Sequence, residues 1–118
     1  MQAPTTILVL DDEPRVRILV VRLLASLGYE VLEAQDAEEA FELVGREPIT
    51  LLIADLTLPG MDGREAATRM VSMVPELRVL FASGDDRGIV LGPGERFLAK
   101  PFTYEALVRE VRAILEEH

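Results

Sequence analysis

Four short apolar runs, each closed by a polar or charged residue, constrain this chain more than any other feature. Residues 7–10 lead into Asp11 and Asp12, residues 51–54 into Asp55, residues 79–82 into Ser83, and residues 97–99 into Lys100. A fifth segment, residues 29–34, alternates enough to be a strand as well. Stretches with helical spacing separate most of these runs. Such alternation predicts a parallel sheet with helices on both faces, wound through right-handed crossovers. All strands of a parallel sheet end at one edge, and ligands bind there. Residues distant in sequence are therefore expected to meet in one pocket.

Strands are expected at residues 5–10, 29–34, 50–54, 77–82 and 97–99. The third has no polar alternation, so it should be central and buried on both faces. Pro14 suits the first turn of a helix in which Val16, Val20, Leu23, Leu24 and Leu27 form one face, with Gly28 as its C-cap. Asp36 and Glu39 form a capping pattern for a second helix, lined by Ala37, Ala40, Phe41 and Val44 and ended by Gly45. Asp62 and Glu65 repeat that spacing before a third helix, which carries Ala66, Met70 and Val74 inward and is closed by Pro75. Thr103 can cap a final helix with Leu107, Val111, Ile114 and Leu115 on its inner face.

Residues 84–96 break the pattern, because Gly84, Gly88, Gly92, Pro93 and Gly94 crowd them. Each interior Gly costs a helix about 1 kcal/mol, and Pro about 3 kcal/mol. At most one short turn near residues 86–91 is expected there.

The 118 residues are expected to form one domain, residues 1–118, with enough chain to bury a core. Apolar residues make up 49%, which marks a globular chain rather than a disordered one. No apolar run approaches membrane-spanning length, and no signal-peptide pattern opens the chain. The absence of cysteine excludes disulfides and thiolate metal sites and is compatible with the cytoplasm. A formal net charge of −9 disfavours direct nucleic-acid binding and fits a chain that meets protein partners. Residues 2–5 are expected to fray.

The strand-end residues have a shared chemistry. Asp11 and Asp12 are adjacent acids that repel unless a cation sits between them. Read alone, Asp12 is as readily a helix N-cap as a metal ligand. A third acid, Asp55, tilts the balance to metal. Oxygen-only ligands select a hard cation such as Mg²⁺. Asp55 can end its strand with a turn, or act as a nucleophilic carboxylate that forms an acyl phosphate. Lys100 would aim a compact positive charge at the same edge, and Pro101 raises the frequency of a cis bond at that turn. Ser83 can start a turn with Gly84 or donate a hydrogen bond to a phosphoryl oxygen. Phe97 is core by default, or a two-position side chain that reports the state of Ser83.

These residues resemble the receiver domain of two-component response regulators. The likeness is carried by Asp11-Asp12-Glu13, by Asp55-Leu56-Thr57-Leu58-Pro59-Gly60-Met61-Asp62-Gly63, by Ser83-Gly84 and by Lys100-Pro101-Phe102. It spans essentially the whole chain in the right order. Around Ser83-Gly84 and residues 97–102 the wording is most similar to receivers of hybrid histidine kinases. The resemblance implies an α/β, flavodoxin-like (CheY-like) doubly wound fold with five parallel strands in the order 2-1-3-4-5. It also implies a phosphoryl group accepted on Asp55 from a phosphohistidine of a sensor histidine kinase or histidine phosphotransfer protein. Asp12, Asp55 and the backbone carbonyl of Thr57 would hold Mg²⁺, with Mn²⁺ as a substitute, and Asp11 would act through bound water. Lys100 would pair with the phosphoryl group, Ser83 would move toward it, and Phe97 would turn inward. Thr57, Gly84 and Asp85 would tune the lifetime of the acyl phosphate. The implied protein is a cytoplasmic signalling switch, monomeric or weakly dimeric when phosphorylated. It is not an enzyme in its own right, although a hybrid-kinase parent would be one.

One departure from the family stands out. The family's fourth helix should be shortened or absent here, which unsettles the usual output surface. Residues 84–96 are expected to be mobile and to order on phosphorylation or partner binding. A kinase is disfavoured, since no Gly-rich phosphate loop is present and the only histidine is His118. An aspartate-nucleophile phosphatase would need a second acid where Thr57 stands, and a cap domain. A flavin protein would need hydroxyl and Gly residues where Asp11 and Asp12 stand. A pseudo-receiver that only binds partners would not need the full set of Asp11, Asp12, Asp55, Ser83 and Lys100.

Overall fold

A computed structural model describes residues 5–85 and 88–116. Of residues 2–5, expected to fray, 2–4 lie outside the described residues, as do His118 and, in the turn expected near 86–91, Asp86 and Arg87. Five strands form one parallel sheet: β1 (Thr6–Leu10), β2 (Glu30–Ala34), β3 (Leu51–Ala54), β4 (Arg78–Ser83) and β5 (Glu95–Ala99). Their order is β2-β1-β3-β4-β5. Helices α1 (Pro14–Ser26), α2 (Ala37–Arg46), α3 (Gly63–Met73) and α4 (Tyr104–Glu116) flank it. Among the described residues between β4 and β5 there is no helix, in line with the glycine content of that stretch.

The period-2 pleat divides the core into two layers. Leu8, Leu10, Leu52, Ala54, Val79 and Phe81 pack with α2 and α3, whereas Ile7, Val9, Leu51, Ile53 and Leu80 pack with α1 and α4. β3 is buried at all four positions and lies at the centre, as its unbroken apolar run requires. β2 is an edge strand, and its exposed Glu30 and Glu33 suit that place. Among the described residues no helix is long and apolar enough to cross a membrane.

Several boundaries differ from the sequence expectation. β1, β2 and β3 each start one residue later, at Thr6, Glu30 and Leu51. β4 starts and ends one residue later, so Ser83 is its last residue rather than the one after it. β5 starts two residues earlier, because Glu95 and Arg96 pair with Val79 and Leu80 despite their charge. Gly45 does not end α2, which continues through Arg46. The stop comes from Pro48, since a residue before proline is driven from helical to extended geometry, and Glu47 has φ −115 and ψ 148. The cap of α1 is Glu13 rather than Asp12, and Glu13 makes no side-chain cap bond. Asp62 caps α3 by accepting from the Arg64 N–H, not that of Glu65. Asp36 and Thr103 cap α2 and α4 as expected, through the Glu39 and Ala106 N–H groups.

Candidate functional site

Three strand ends deliver the site. The ladders run one residue past the strands: Asp11 N–H donates to Ala34 O (3.1 Å), Asp55 N–H to Leu10 O (3.1 Å) and Lys100 N–H to Ser83 O (2.9 Å). Each site residue therefore continues the parity of its strand. Asp11 follows Ile7 and Val9, Asp55 follows Leu51 and Ile53, and Lys100 follows Leu98, all on the layer that packs with α1 and α4. Ser83 follows Val79 and Phe81 on the other layer.

The side chains converge on one ammonium. Lys100 Nζ lies 2.7 Å from Asp55 Oδ2, 2.8 Å from Asp11 Oδ2 and 3.1 Å from Glu13 Oε1. Asp11 is 4% exposed and Asp55 5%, so two buried carboxylates share one cation. Their other oxygens are held by the backbone two residues on. Asp11 Oδ1 accepts from Glu13 N–H, and Asp55 Oδ1 accepts from Thr57 N–H, both at 2.9 Å. Burial raises the pKa of Asp11 above its ordinary value; the Lys100 and Glu13 N–H hydrogen bonds and the Lys100 charge oppose this, and the charge of Asp55 adds to it. Burial alone would lower the pKa of Lys100, but hydrogen bonds and charge from Asp11 and Asp55 overcome it and raise the value.

Asp12 is exposed at the mouth of this cluster. One carboxylate oxygen each from Asp11, Asp12 and Asp55 lies within 4.8 Å of the others. Set against one ammonium, these acids and Glu13 leave a surplus of negative charge. The donors are all hard oxygens, one of them solvent-facing, which is the chemistry that suits a partly hydrated Mg²⁺.

The remaining residues singled out in the sequence sit around this centre. Ser83 is buried at the adjoining strand end, and its Oγ accepts from Asp85 N–H at 3.4 Å. Phe97 is half-buried on β5 opposite Phe81. Thr57 is exposed, and its N–H donates to Asp55 Oδ1. The Lys100-Pro101 bond is cis. Gly84 and Lys100 border a mostly apolar cavity of about 410 Å³, walled by Val16, Leu19, Phe102 and Tyr104.

Four participants were not legible in advance. Glu13 stands in the Asp11-Asp12-Glu13 motif, whose spacing gives no sign of its contact with Lys100. Arg17 donates to the Asp11 carbonyl (2.7 Å) and pairs with Glu33 (2.9 Å), which ties the loop after β1 to β2. Its place about one turn into α1 is the available signal. Gly63 packs directly against the Asp55 carbonyl. Arg64 pairs with Glu95, a contact across 31 positions with no local signature.

A family model described as the response regulator receiver domain matches residues 7–112. The response regulator receiver protein CpdR of Brucella abortus is 32% identical over 115 residues, covering 92% of this chain and 95% of CpdR. The crystal structure of the receiver domain from the hybrid histidine kinase CckA is 35% identical with a TM-score of 0.83, covering 94% of this chain and 99% of that one. The response regulator TrrA of Thermotoga maritima, in complex with Mg²⁺-BeF, is 26% identical with a TM-score of 0.83, covering 93% and 98%. This chain spans only 47% to 51% of three other curated relatives.

Proposed function

We infer that this chain, which belongs to the response regulator receiver domain family, accepts a phosphoryl group on Asp55 from a phosphohistidine of a sensor histidine kinase or phosphotransfer protein. The observation that supports this most strongly is the Lys100 ammonium shared by Asp55 Oδ2 and Asp11 Oδ2. A buried carboxylate beside an ammonium and two further acids is arranged for charge that arrives and leaves.

In the proposed reaction an Asp55 carboxylate oxygen attacks phosphorus. The new P–O bond forms as the P–N bond to imidazole breaks, and the donor histidine keeps the electron pair and takes a proton from solvent. The Thr57 N–H holds the other Asp55 oxygen, which fixes the angle of attack. Lys100 then passes from the carboxylate to the phosphoryl oxygens. Ser83 donates its hydroxyl to another of them, and Phe97 turns into the space that Ser83 leaves. Mg²⁺, or Mn²⁺ in its place, would be held by Asp12, Asp55 and the Thr57 carbonyl, with Asp11 acting through water. Bound there, the ion would neutralise phosphoryl charge, and the Mg²⁺-BeF complex of TrrA supports extending this to the present chain. Thr57, Gly84 and Asp85 would set how readily water hydrolyses the acyl phosphate.

On this reading the chain is a cytoplasmic switch for protein partners, without direct nucleic-acid contact and without turnover of an external substrate. Borohydride trapping tests the assignment, because it reduces an acyl phosphate to an alcohol. After incubation with acetyl phosphate and Mg²⁺, homoserine is expected at position 55 alone. Homoserine elsewhere, or none above an untreated control, contradicts the assignment.

A further inference from the structure

We propose that Arg64 and Glu95 form a latch that holds the free-carboxylate arrangement of the site, so that phosphoryl acceptance at Asp55 releases residues 88–94 rather than ordering them as their glycine content suggests. The proposal rests on the phosphoacceptor reading and adds its regulation.

Arg64 follows Gly63, the first residue of α3. Gly63 N–H donates to Leu56 O at 2.8 Å, and the Gly63 Cα abuts the Asp55 carbonyl. The first turn of α3 therefore moves with the Asp55 backbone. At its far end the Arg64 guanidinium pairs with Glu95 Oε2 and donates to Val90 O at 3.2 Å. It also lies over the Phe81 ring, 5.3 Å from the centroid. The other Glu95 oxygen accepts from Gly92 N–H at 2.7 Å. One guanidinium and one carboxylate thus tie α3, β4, β5 and the β4–β5 connection together. No helix occurs among the described residues of that connection, and on the Phe81 side of the sheet the Arg64 guanidinium and Ile89 pack there.

The tied residues are those the switch would move. Phe81 precedes Ser83 by two positions on the same layer, and Phe97 pairs with Phe81 across the ladder. In this arrangement Asp55 Oδ2 is paired directly with Lys100, the contact of an unmodified carboxylate. A shift of Ser83 toward a phosphoryl group and of Phe97 inward changes the packing around Phe81 on which the guanidinium rests. The Arg64 side chain is 38% exposed and that of Glu95 15%, so the pair is screened. A bias of a few-fold is the size that sets a two-state balance without locking it.

Arg64→Met, Glu95→Gln and the double variant test this, with beryllofluoride plus Mg²⁺ as the probe. Each single change should raise beryllofluoride affinity three- to tenfold, and the double variant should gain no more than either alone. In the wild-type protein, exchange of the Gly92 amide should quicken when beryllofluoride binds, a readout that needs no variant to fold. Affinities within twofold of wild type, or Gly92 protection unchanged by the probe, would overturn the latch and leave the phosphoacceptor reading intact. No beryllofluoride binding by the wild-type protein would overturn both.

Discussion

Gly63 lies so close beneath Asp55 that a Cβ added to it would sit 1.9 Å from the Asp55 carbonyl oxygen and 2.8 Å from the Leu56 Cα. Both neighbours are backbone, so neither can rotate away. The phosphoacceptor candidate is thereby seated on the first residue of the helix that follows it. Gly63→Ala should cost about 2–3 kcal/mol of stability, the scale of overpacking against a rigid neighbour, and should slow phosphorylation. Gly84→Ala, which meets nothing within 4 Å, is the control and should change stability by less than about 0.5 kcal/mol. Urea unfolding of both variants checks this; equal small effects would mean that α3 shifts freely relative to Asp55.

Metal binding should separate from folding at Asp12. Its exposed side chain contributes little to the apo fold but one ligand to the acidic cluster. Mg²⁺ at a hundred times its dissociation constant should stabilise the wild-type protein by about 2.7 kcal/mol. Asp12→Asn should keep apo stability within about 0.5 kcal/mol and lose most of the Mg²⁺ increment. An undiminished increment would place the ion elsewhere.

The pKa shifts give the metal-free protein a pH signature. Asp11 has a raised folded pKa, so it binds its proton more tightly when folded. Its contribution is fully present below 3.8 and is lost as pH rises through the raised value. Lys100 is also raised, so its contribution is present below 10.5 and is lost only as pH rises beyond that. Urea midpoints in EDTA should therefore show an Asp11-dependent decline in the acid range, flattened by Asp11→Asn, and no Lys100-dependent slope near neutrality. A decline unchanged in Asp11→Asn would refute the assignment.

Arg78 should matter to the fold and not to the site. Its guanidinium donates to Ile114 O (2.9 Å) and Leu115 O (2.8 Å), carbonyls in the last turn of α4, a turn that has no basic residue of its own. Arg78→Met should cost about 1.5–3 kcal/mol, the range for hydrogen bonds to a charged group, with phosphorylation unaffected in the folded protein. Thermal unfolding beside a phosphorylation time course distinguishes the two effects.

Most of the fold and the centre of the site were legible because they depend on local signals. An apolar run ending in an acid says where a strand stops, and strand parity says which layer the acid joins. Asp11, Asp55 and Lys100 meet for that reason. The start of β5 is hidden in the sequence because Glu95 and Arg96 look like loop residues, and their strand pairing comes from β4. Gly45 misled because a glycine caps a helix only when the chain turns there, and the turn belongs to Pro48. The Arg64–Glu95 pair and the seat of Gly63 under Asp55 depend on three-dimensional approach, for which spacing carries no signal.

The most direct test of the account is intact mass after incubation with acetyl phosphate and Mg²⁺, beside Asp55→Asn and a chelated control. The account expects one added phosphoryl group in the wild-type protein and none in either control. An equal gain in Asp55→Asn would contradict the assignment of Asp55. No gain, together with no Mg²⁺ binding, would contradict the phosphoacceptor function and leave a receiver fold that acts only by binding partners.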